Sequence, residues 1–231
     1  MNILLIPGHG DGDPGAVGCG YKEADLAREI VGLTKNALDP YCNVTVADTS
    51  VNWYRHIIKN GKFFNFKPYD YVLEVHFNSG ANNTGGNGAT TGTEIYATRE
   101  EKTVSVEENI VGGISSLGFK KRGVKRKNFD LISYIKRQGV SSALLEVCFM
   151  DDKDDMNLYQ SRKVMIAEQI ANGIADGYNL AVTSLSGACK LLADAGIINS
   201  PDYWAKGKWY SDANTVLLIK KFAEYVRRKG K

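Results

Sequence analysis

Three short, almost wholly apolar runs constrain this chain more than any other feature of its sequence. They lie at residues 3–6, 71–75 and 143–147. Runs of this length without alternation are typical of strands that are buried on both faces of a sheet. Between them, apolar residues recur at spacings of three and four, as at Leu26, Ile30 and Leu33, and this pattern indicates helices. The alternation predicts an α/β fold, with a twisted, mostly parallel or mixed sheet flanked by helices.

The segments between these runs are predicted less sharply. We expect further strands at 43–47 and 94–97, helices at 53–61, 102–117 and 154–178, and either a strand or a turn at 131–134. The basic run 120–127 is expected to be a loop. The segment 79–92 is rich in glycine and asparagine and long for a compact domain. Loops of this kind are usually functional rims or disordered segments.

The last 51 residues differ from the rest of the chain in charge. Residues 181–231 hold nine Lys and Arg against four Asp and Glu, a balance of +5 in a chain whose net charge is +3. We expect a large domain at 1–178, a linker at 179–184 and a small all-helical module at 185–231. A basic module suggests a polyanionic partner. The alternative is that a small helical module needs Lys and Arg only for solubility.

Cysteine usage and the N-terminal sequence indicate where the chain is made. The four cysteines form no CxxC pair, which argues against a zinc ribbon and favours buried thiols in a reducing compartment. The first seven residues lack the basic region of a signal peptide. No stretch approaches the roughly 20 apolar residues of a membrane span. We therefore expect synthesis in the cytoplasm without a secretion signal, and no membrane insertion.

Polar side chains lie at or just past the carboxyl ends of three predicted strands: His9, His76 and Glu146. Because functional groups in such sheets gather at that edge, these residues are expected to meet. A hydrolytic zinc site needs three protein ligands and one open position, and a further carboxylate must move the proton. The candidate carboxylates are Glu23, Glu74, Glu94 and Glu146, and composition alone does not choose among them. The third histidine, His56, is expected to be a surface or packing residue.

Four segments together resemble a known family. Residues 8–18, with Glu23 opening a helix, are similar to the first signature of the zinc-dependent N-acetylmuramoyl-L-alanine amidases of the Amidase_3 type. Residues 76–79, 122–125 and 144–149 resemble the second, third and fourth signatures, in the family's order. Asp151 and Asp152 depart from the small or amide residues expected after the last signature.

The resemblance implies a set of roles. His9, Glu23 and His76 match the ligands of one Zn²⁺, and Glu146 matches the catalytic glutamate, the base and then the acid for zinc-activated water. The implied substrate is peptidoglycan, cleaved at the amide between N-acetylmuramic acid and L-alanine. Asn78 and Arg122 are candidate residues of the substrate cleft. Glu74, two residues before His76 on the same strand face, is expected to support a ligand rather than to bind the metal.

The resemblance favours a phage endolysin or a bacterial autolysin that acts on the cell wall after release. Two alternatives stay open: a zinc peptidase that cuts within the stem peptide, and a non-catalytic wall-binding protein. The C-terminal module is expected to bind anionic wall polymers, because aromatic side chains stack on sugars and cations attract polyanions. Its alternatives are dimerisation or docking on the catalytic domain. Trp204, Trp209 and Phe222 would then form the small core of the module itself. No nucleic-acid partner is expected.

Overall fold

A computed structural model of the protein describes residues 1–181, 185–206 and 213–229. Six strands form one sheet in the order β4-β1-β5-β8-β6-β7. Strands β1, β4, β5 and β8 pair in parallel, whereas β6 pairs with β8 antiparallel and with β7 in parallel. The predicted α/β fold with a mixed sheet flanked by helices is confirmed.

The strands are β1 (Asn2–Pro7), β2 (Val17–Gly18), β3 (Tyr21–Lys22), β4 (Asn43–Val46), β5 (Tyr71–Asn78), β6 (Thr93–Ala97), β7 (Lys121–Arg126) and β8 (Ser141–Phe149). The α-helices are α1 (Glu23–Leu38), α2 (Ser105–Ser116), α3 (Asp130–Arg137), α4 (Lys153–Gly177), α5 (Leu185–Asp194), α6 (Pro201–Lys206) and α7 (Ala213–Lys229). A π-helical turn spans Arg55–Lys59, and β2 and β3 form a small separate hairpin.

The two faces of the sheet are covered differently. Helices α1, α2 and α4 pack on one face over the larger apolar core, which includes Leu5, Leu73 and Leu145. Segment 51–66 and helix α3 cover a smaller core on the other face, around Leu4 and Val72. Because side chains alternate along a strand, Glu74, His76 and Glu146 lie on this second face, beyond the smaller core. The sheet therefore presents a polar surface where its parallel strands end.

Two segments differ from their predicted structure. The basic run at 120–127 contains strand β7, not a loop, because β7 is an edge strand whose charged side chains hide the apolar alternation. Residues 131–134 belong to helix α3, neither a strand nor a turn. Leu131, Ile132 and Ile135 are buried at helical spacing on one stripe, and Asp130 opens the first turn.

The Gly- and Asn-rich segment 79–92 is fixed by carboxylates at the start of α4. Asp151 accepts hydrogen bonds from the backbone N–H groups of residues 80, 81 and 82, at 2.9–3.1 Å. Asp154 accepts from the N–H groups of residues 87 and 88, and Asp155 from that of residue 92. Asp152 caps α4 and accepts from the hydroxyl of Thr91. The acidic residues that depart from the family pattern therefore hold this segment in place.

The described C-terminal helices share the core of the larger face. Ala188, Leu192 and Ala223 are buried in the same apolar cluster as α1 and α4. Arg227 of α7 pairs with Asp176 of α4, and its guanidinium lies 5.7 Å from the centre of the Tyr41 ring. Residues 182–184 of the predicted linker, and Trp209, lie outside the described residues. The side chains of Trp204 and Phe222 are 37% and 45% exposed, so neither is buried in a core of the C-terminal module.

Among the helices that the structure describes, none is both long and apolar enough to cross a membrane.

Candidate active site

Three elements bring the predicted metal ligands together. His9 follows strand β1, His76 lies near the end of β5, and Glu23 is the first residue of α1. The Glu23 carboxylate lies between the two imidazoles, with Oε2 3.0 Å from Nε2 of His9 and Oε1 2.8 Å from Nδ1 of His76. One donor atom from each of the three residues lies within 4.8 Å of the other two. This spacing suits a single metal ion.

The chemistry of the donors also fits zinc. Two imidazole nitrogens and one carboxylate oxygen are ligands that Zn²⁺ accepts in catalytic sites, where a fourth position stays open. Burial alone would lower the pKa of both imidazoles, but their hydrogen bonds to Glu23 raise the pKa of His9 and raise that of His76 further. Burial alone would raise the pKa of Glu23, but the same bonds hold it well below its usual range. The carboxylate is therefore ionised and ready to bind a cation.

Each imidazole has a carboxylate partner on its other nitrogen. Nδ1 of His9 is 3.1 Å from Asp13, and Nε2 of His76 is 3.0 Å from Glu74. Asn52 in turn donates to Asp13. Partners of this kind fix the tautomer and orientation of a ligating histidine. The role that the two-residue spacing predicts for Glu74 agrees with this contact, whereas Asp13 and Asn52 gave no separate signal in the sequence.

Glycines leave room for the ligands. A Cβ on Gly8 would lie 2.4 Å from the His76 ring, and a Cβ on Gly15 would lie 2.6 Å from the Glu23 carboxylate. Gly15 also has a φ of 66°, which glycine adopts at little cost. His9 itself has a φ of 60°, an uncommon backbone conformation for a residue with a side chain. The loop after β1 is therefore shaped around the three predicted ligands.

Arg28 holds that loop from helix α1. Its guanidinium donates to the carbonyl oxygens of Gly8 and His9 and to that of Thr49, at 2.6–3.2 Å. These bonds satisfy backbone groups that the left-handed turn at His9 leaves without strand partners. Sequence reasoning missed Arg28, because its partners are main-chain atoms about 20 residues away.

Glu146 lies beside the ligands on the same face. It is the parallel register partner of His76, and both line a cleft of about 420 Å³ with His9, Glu74 and Phe129. Burial raises the pKa of Glu146 to about 7. Its Oε2 atom is buried and has no hydrogen-bond partner among the described residues. Desolvation of this kind gives a carboxylate the basicity that proton transfer near neutral pH requires.

The two predicted cleft residues meet at a different carboxylate, Glu94. Asn78 donates to Oε1 of Glu94 at 2.9 Å, and Arg122 donates to Oε2 at 2.5 Å. Lys125, the last residue of the third signature segment, and Tyr96, which sequence reasoning did not single out, bind the same carboxylate at 2.5 and 2.6 Å. Glu94 is also the antiparallel register partner of Glu146. Glu94 therefore anchors this group next to Glu146 and does not join the ligand set.

Replacing Glu74 with Gln tests the support of His76. We expect Glu74→Gln to lower zinc affinity by roughly 10- to 100-fold, because a neutral amide holds the imidazole less firmly and leaves it less basic. Zinc titration against a competing chelator measures the change. Glu108→Gln, an exposed glutamate on α2, is the matched control. Equal affinities in wild type, Glu74→Gln and the control would contradict a supporting role for Glu74.

Comparisons with known proteins identify the family of the chain. A family model described as N-acetylmuramoyl-L-alanine amidase, Amidase_3, matches residues 3–176. A sporulation-specific N-acetylmuramoyl-L-alanine amidase of Bacillus subtilis is 30% identical over 196 residues, covering 83% of this chain and 73% of the relative. An endolysin of Bacillus phage SPP1 is 28% identical over 185 residues, covering 77% and 66%.

A solved structure extends the similarity to the fold. The amidase AmiC2 of Nostoc punctiforme superposes with a TM-score of 0.61 at 21% identity, covering 78% of this chain and 97% of that one. At this identity the match supports the fold alone. The family model matches the part of the chain that carries the sheet and the site.

Proposed function

Because the chain belongs to the Amidase_3 family of N-acetylmuramoyl-L-alanine amidases, we propose that it cleaves the amide between N-acetylmuramic acid and L-alanine in peptidoglycan, with one bound Zn²⁺ and Glu146 as the proton-transfer group. The relatives are named as amidases and an endolysin, so the proposed place of action is the bacterial cell wall. The observation that carries the proposal is the buried Glu146 carboxylate, which lines one cleft with His9 and His76, the two imidazoles that Glu23 joins in a possible metal site.

His9, Glu23 and His76 would hold the zinc ion. When bound, Zn²⁺ supplies Lewis acidity towards a carbonyl oxygen and makes water more acidic. Asp13 and Glu74 fix the ring orientations, so that Nε2 of His9 and Nδ1 of His76 both face the Glu23 carboxylate. Arg28 and the two glycines keep the loop after β1 in the shape that this arrangement needs.

Glu146 would move the proton during the reaction. As the base it accepts a proton from the attacking water, and as the acid it returns that proton to the departing nitrogen of L-alanine. A carboxylate with its pKa raised to about 7 carries out both steps near neutral pH, because neither protonation state is strongly favoured. The apolar rings and aliphatic chains that line the cleft, Phe129, Leu131 and Leu144, limit its hydration.

Zinc analysis combined with product analysis tests the proposal. We expect about one zinc per chain, loss of wall lysis on chelation, and recovery when zinc is restored. The products should be peptides with free L-alanine amino termini and intact muramic acid. New amino termini within the stem peptide would instead identify a peptidase, and wall binding without any bond cleavage would identify a non-catalytic protein.

The C-terminal module, 185–231, is proposed to bind the wall. The exposed aromatic side chains among its described residues are Tyr203, Trp204, Phe222 and Tyr225. The last turn of α7 carries the exposed cations Arg228 and Lys229, whereas the Arg227 side chain is 5% exposed and pairs with Asp176. Exposed rings beside cations suit a polymer that presents sugars and anionic groups. Dimerisation through the same surface is the alternative, and analytical ultracentrifugation distinguishes the two.

Removing two exposed rings of α7 is expected to weaken wall binding. The double variant Phe222→Ala, Tyr225→Ala should bind purified cell walls about tenfold more weakly, since each ring contributes roughly 0.5–1.5 kcal/mol. Co-sedimentation with walls measures the bound fraction. Phe63→Ala is the matched control, because Phe63 is 75% exposed and lies in the catalytic part of the chain. Equal binding by the control and the double variant would count against this surface.

A further inference from the structure

Two adjoining cavities lie along the outer side of helix α4, and together they are called the α4 groove. The first, of about 370 Å³, lies between α2 and α4, and the second, of about 310 Å³, lies where α1, α4, α5 and α7 meet. Gln169 and Asn172 line both cavities. The α4 groove has no lining residue in common with the catalytic cleft, which lies on the other face of the sheet. Cavities of this size between packed elements are typical places for ligands.

Two amide side chains form the middle of the α4 groove. Gln169 and Asn172 are three residues apart on α4, so their side chains lie on the same side of the helix. Both are half-buried, and neither side chain makes a hydrogen bond within the part of the chain that the structure describes. A Cβ on Gly113 of α2 would lie 2.6 Å from Oε1 of Gln169, so this glycine leaves room for the amide. Each amide therefore offers N–H donors and a carbonyl acceptor to a ligand.

A buried tyrosine lies at the end of the α4 groove that α1 and α7 form. Tyr41 lines the second cavity and is 2% exposed. Its hydroxyl group has no hydrogen-bond partner among the described residues. Buried polar groups in proteins nearly always have a partner, so a hydroxyl of this kind indicates a partner that comes from outside the chain.

The cations that line the α4 groove already have carboxylate partners. Arg227 pairs with Asp176, and Lys190 pairs with Asp194 at 2.6 Å. Glu168 adds a further carboxylate to the lining. An anionic polymer would therefore meet more negative than positive charge here. A neutral ligand that is rich in hydroxyl and amide groups fits better, since it can donate to carboxylates and both donate to and accept from the side-chain amides.

We propose that the α4 groove binds the neutral glycan backbone of the cell wall through its N-acetylhexosamine units. The acetamido group of such a sugar has one N–H donor and one carbonyl acceptor, which complement the amides of Gln169 and Asn172. The ring hydroxyls can donate to the carboxylate of Glu168 and bond to the Tyr41 hydroxyl. The inference rests on the proposed action at the cell wall. It adds a glycan site that is separate from the catalytic cleft and from the exposed rings of α7.

A soluble β-1,4-linked tetramer of N-acetylglucosamine is the probe for this site. It contains no bond to L-alanine, so it is not a substrate of the proposed reaction. We expect saturable binding to the full chain in isothermal titration calorimetry, with the same affinity before and after zinc is removed, because the groove and the metal site share no residue. Cellotetraose has the same linkage without acetamido groups. It should bind about tenfold more weakly, since the hydrogen bonds of the acetamido groups are lost.

Removing both amides should weaken binding of the tetramer. The double variant Gln169→Ala, Asn172→Ala is expected to bind it about tenfold more weakly than the wild type. Asn157→Ala, Gln160→Ala is the matched control, because it removes the same two residue types at the same spacing on α4 and neither residue lines the groove. Tyr41→Phe removes only the unpartnered hydroxyl and should weaken binding by a smaller factor. Thermal unfolding and cleavage of a soluble muropeptide should be the same in the double variant and the control.

The glycan site and the amidase reaction can fail separately. Absence of saturable binding of the tetramer would overturn the glycan site and leave the amidase reaction intact. Equal affinities in the wild type and the Gln169→Ala, Asn172→Ala variant would overturn it as well, because the tetramer would then bind elsewhere. Equal binding of cellotetraose would overturn recognition through the acetamido groups. A wild-type protein that binds the tetramer but cleaves no muropeptide would contradict the amidase reaction and support the glycan site.

Discussion

Glu146→Gln is expected to lower wall lysis by roughly 10²- to 10⁴-fold while zinc stays bound. The amide has nearly the shape of the carboxylate, so the cleft should stay intact. It accepts no proton at neutral pH, and the proposed transfer from water to the alanine nitrogen is lost. Turbidity loss of purified walls measures lysis, and metal analysis of the same sample measures zinc. The contacts among His9, Glu23 and His76 do not involve Glu146. Lysis should therefore fall while the zinc content stays unchanged.

A buried glutamine could also disturb the fold, and two measurements exclude this. Thermal unfolding should change little, since burial already disfavours the charged form of Glu146 and a neutral side chain removes that cost. Glu108→Gln changes a glutamate on the outer helix α2 and should lyse walls like the wild type. Normal lysis by Glu146→Gln would contradict the proposed proton transfer, whatever the zinc content.

Glu23→Ala is expected to remove both zinc and activity. The carboxylate is the one acidic member of the three-residue group and lies between both imidazoles. We expect the loss of zinc affinity to exceed the roughly 10- to 100-fold that follows removal of an outer partner. Wall lysis should fall to background at micromolar zinc. Equilibrium dialysis and lysis assays on the same preparation measure the two effects.

The same substitution should destabilise the protein even without metal. Glu23 accepts hydrogen bonds from the backbone N–H groups of Ala16 and Phe77, and the latter is buried. An unsatisfied buried donor costs about 1–3 kcal/mol, so the midpoint of thermal unfolding should fall. Asp25→Ala is the control, since Asp25 lies two residues further along α1 and is exposed. Stoichiometric zinc in Glu23→Ala would contradict the proposed ligand set.

Local pattern was enough to predict the sheet and the edge at which the site lies. Buried strands in an α/β fold are continuous apolar runs, and their ends can be located from the sequence. The positions of these ends are therefore sufficient to assign His9, His76 and Glu146 to one edge of the sheet. The choice of Glu23 among the glutamates came from the family resemblance, because spacing along the chain does not report which carboxylate folds back on the strand ends.

Strand β7 and helix α3 show where the pattern failed. The charged residues of β7 carry no apolar alternation, since an edge strand has a solvent-exposed face, and its pairing with β6 is decided by contacts between distant segments. The segment that contains Leu131 and Ile132 was too short to distinguish a strand from a helix, and packing on the smaller core decides the matter.

The sequence by itself determined the α/β class, the strand ends that carry the site and, through resemblance, the residues proposed as zinc ligands. Only the tertiary structure decided what holds them. Asp13 orients the His9 imidazole, Arg28 binds the loop after β1, and Glu94 collects Arg122 and Lys125 beside Glu146. Most of these contacts join residues that are far apart in the chain, and several end on main-chain atoms. These contacts form only when the elements pack together. Periodicity indicates only which face of a local element a residue occupies, so it does not predict them.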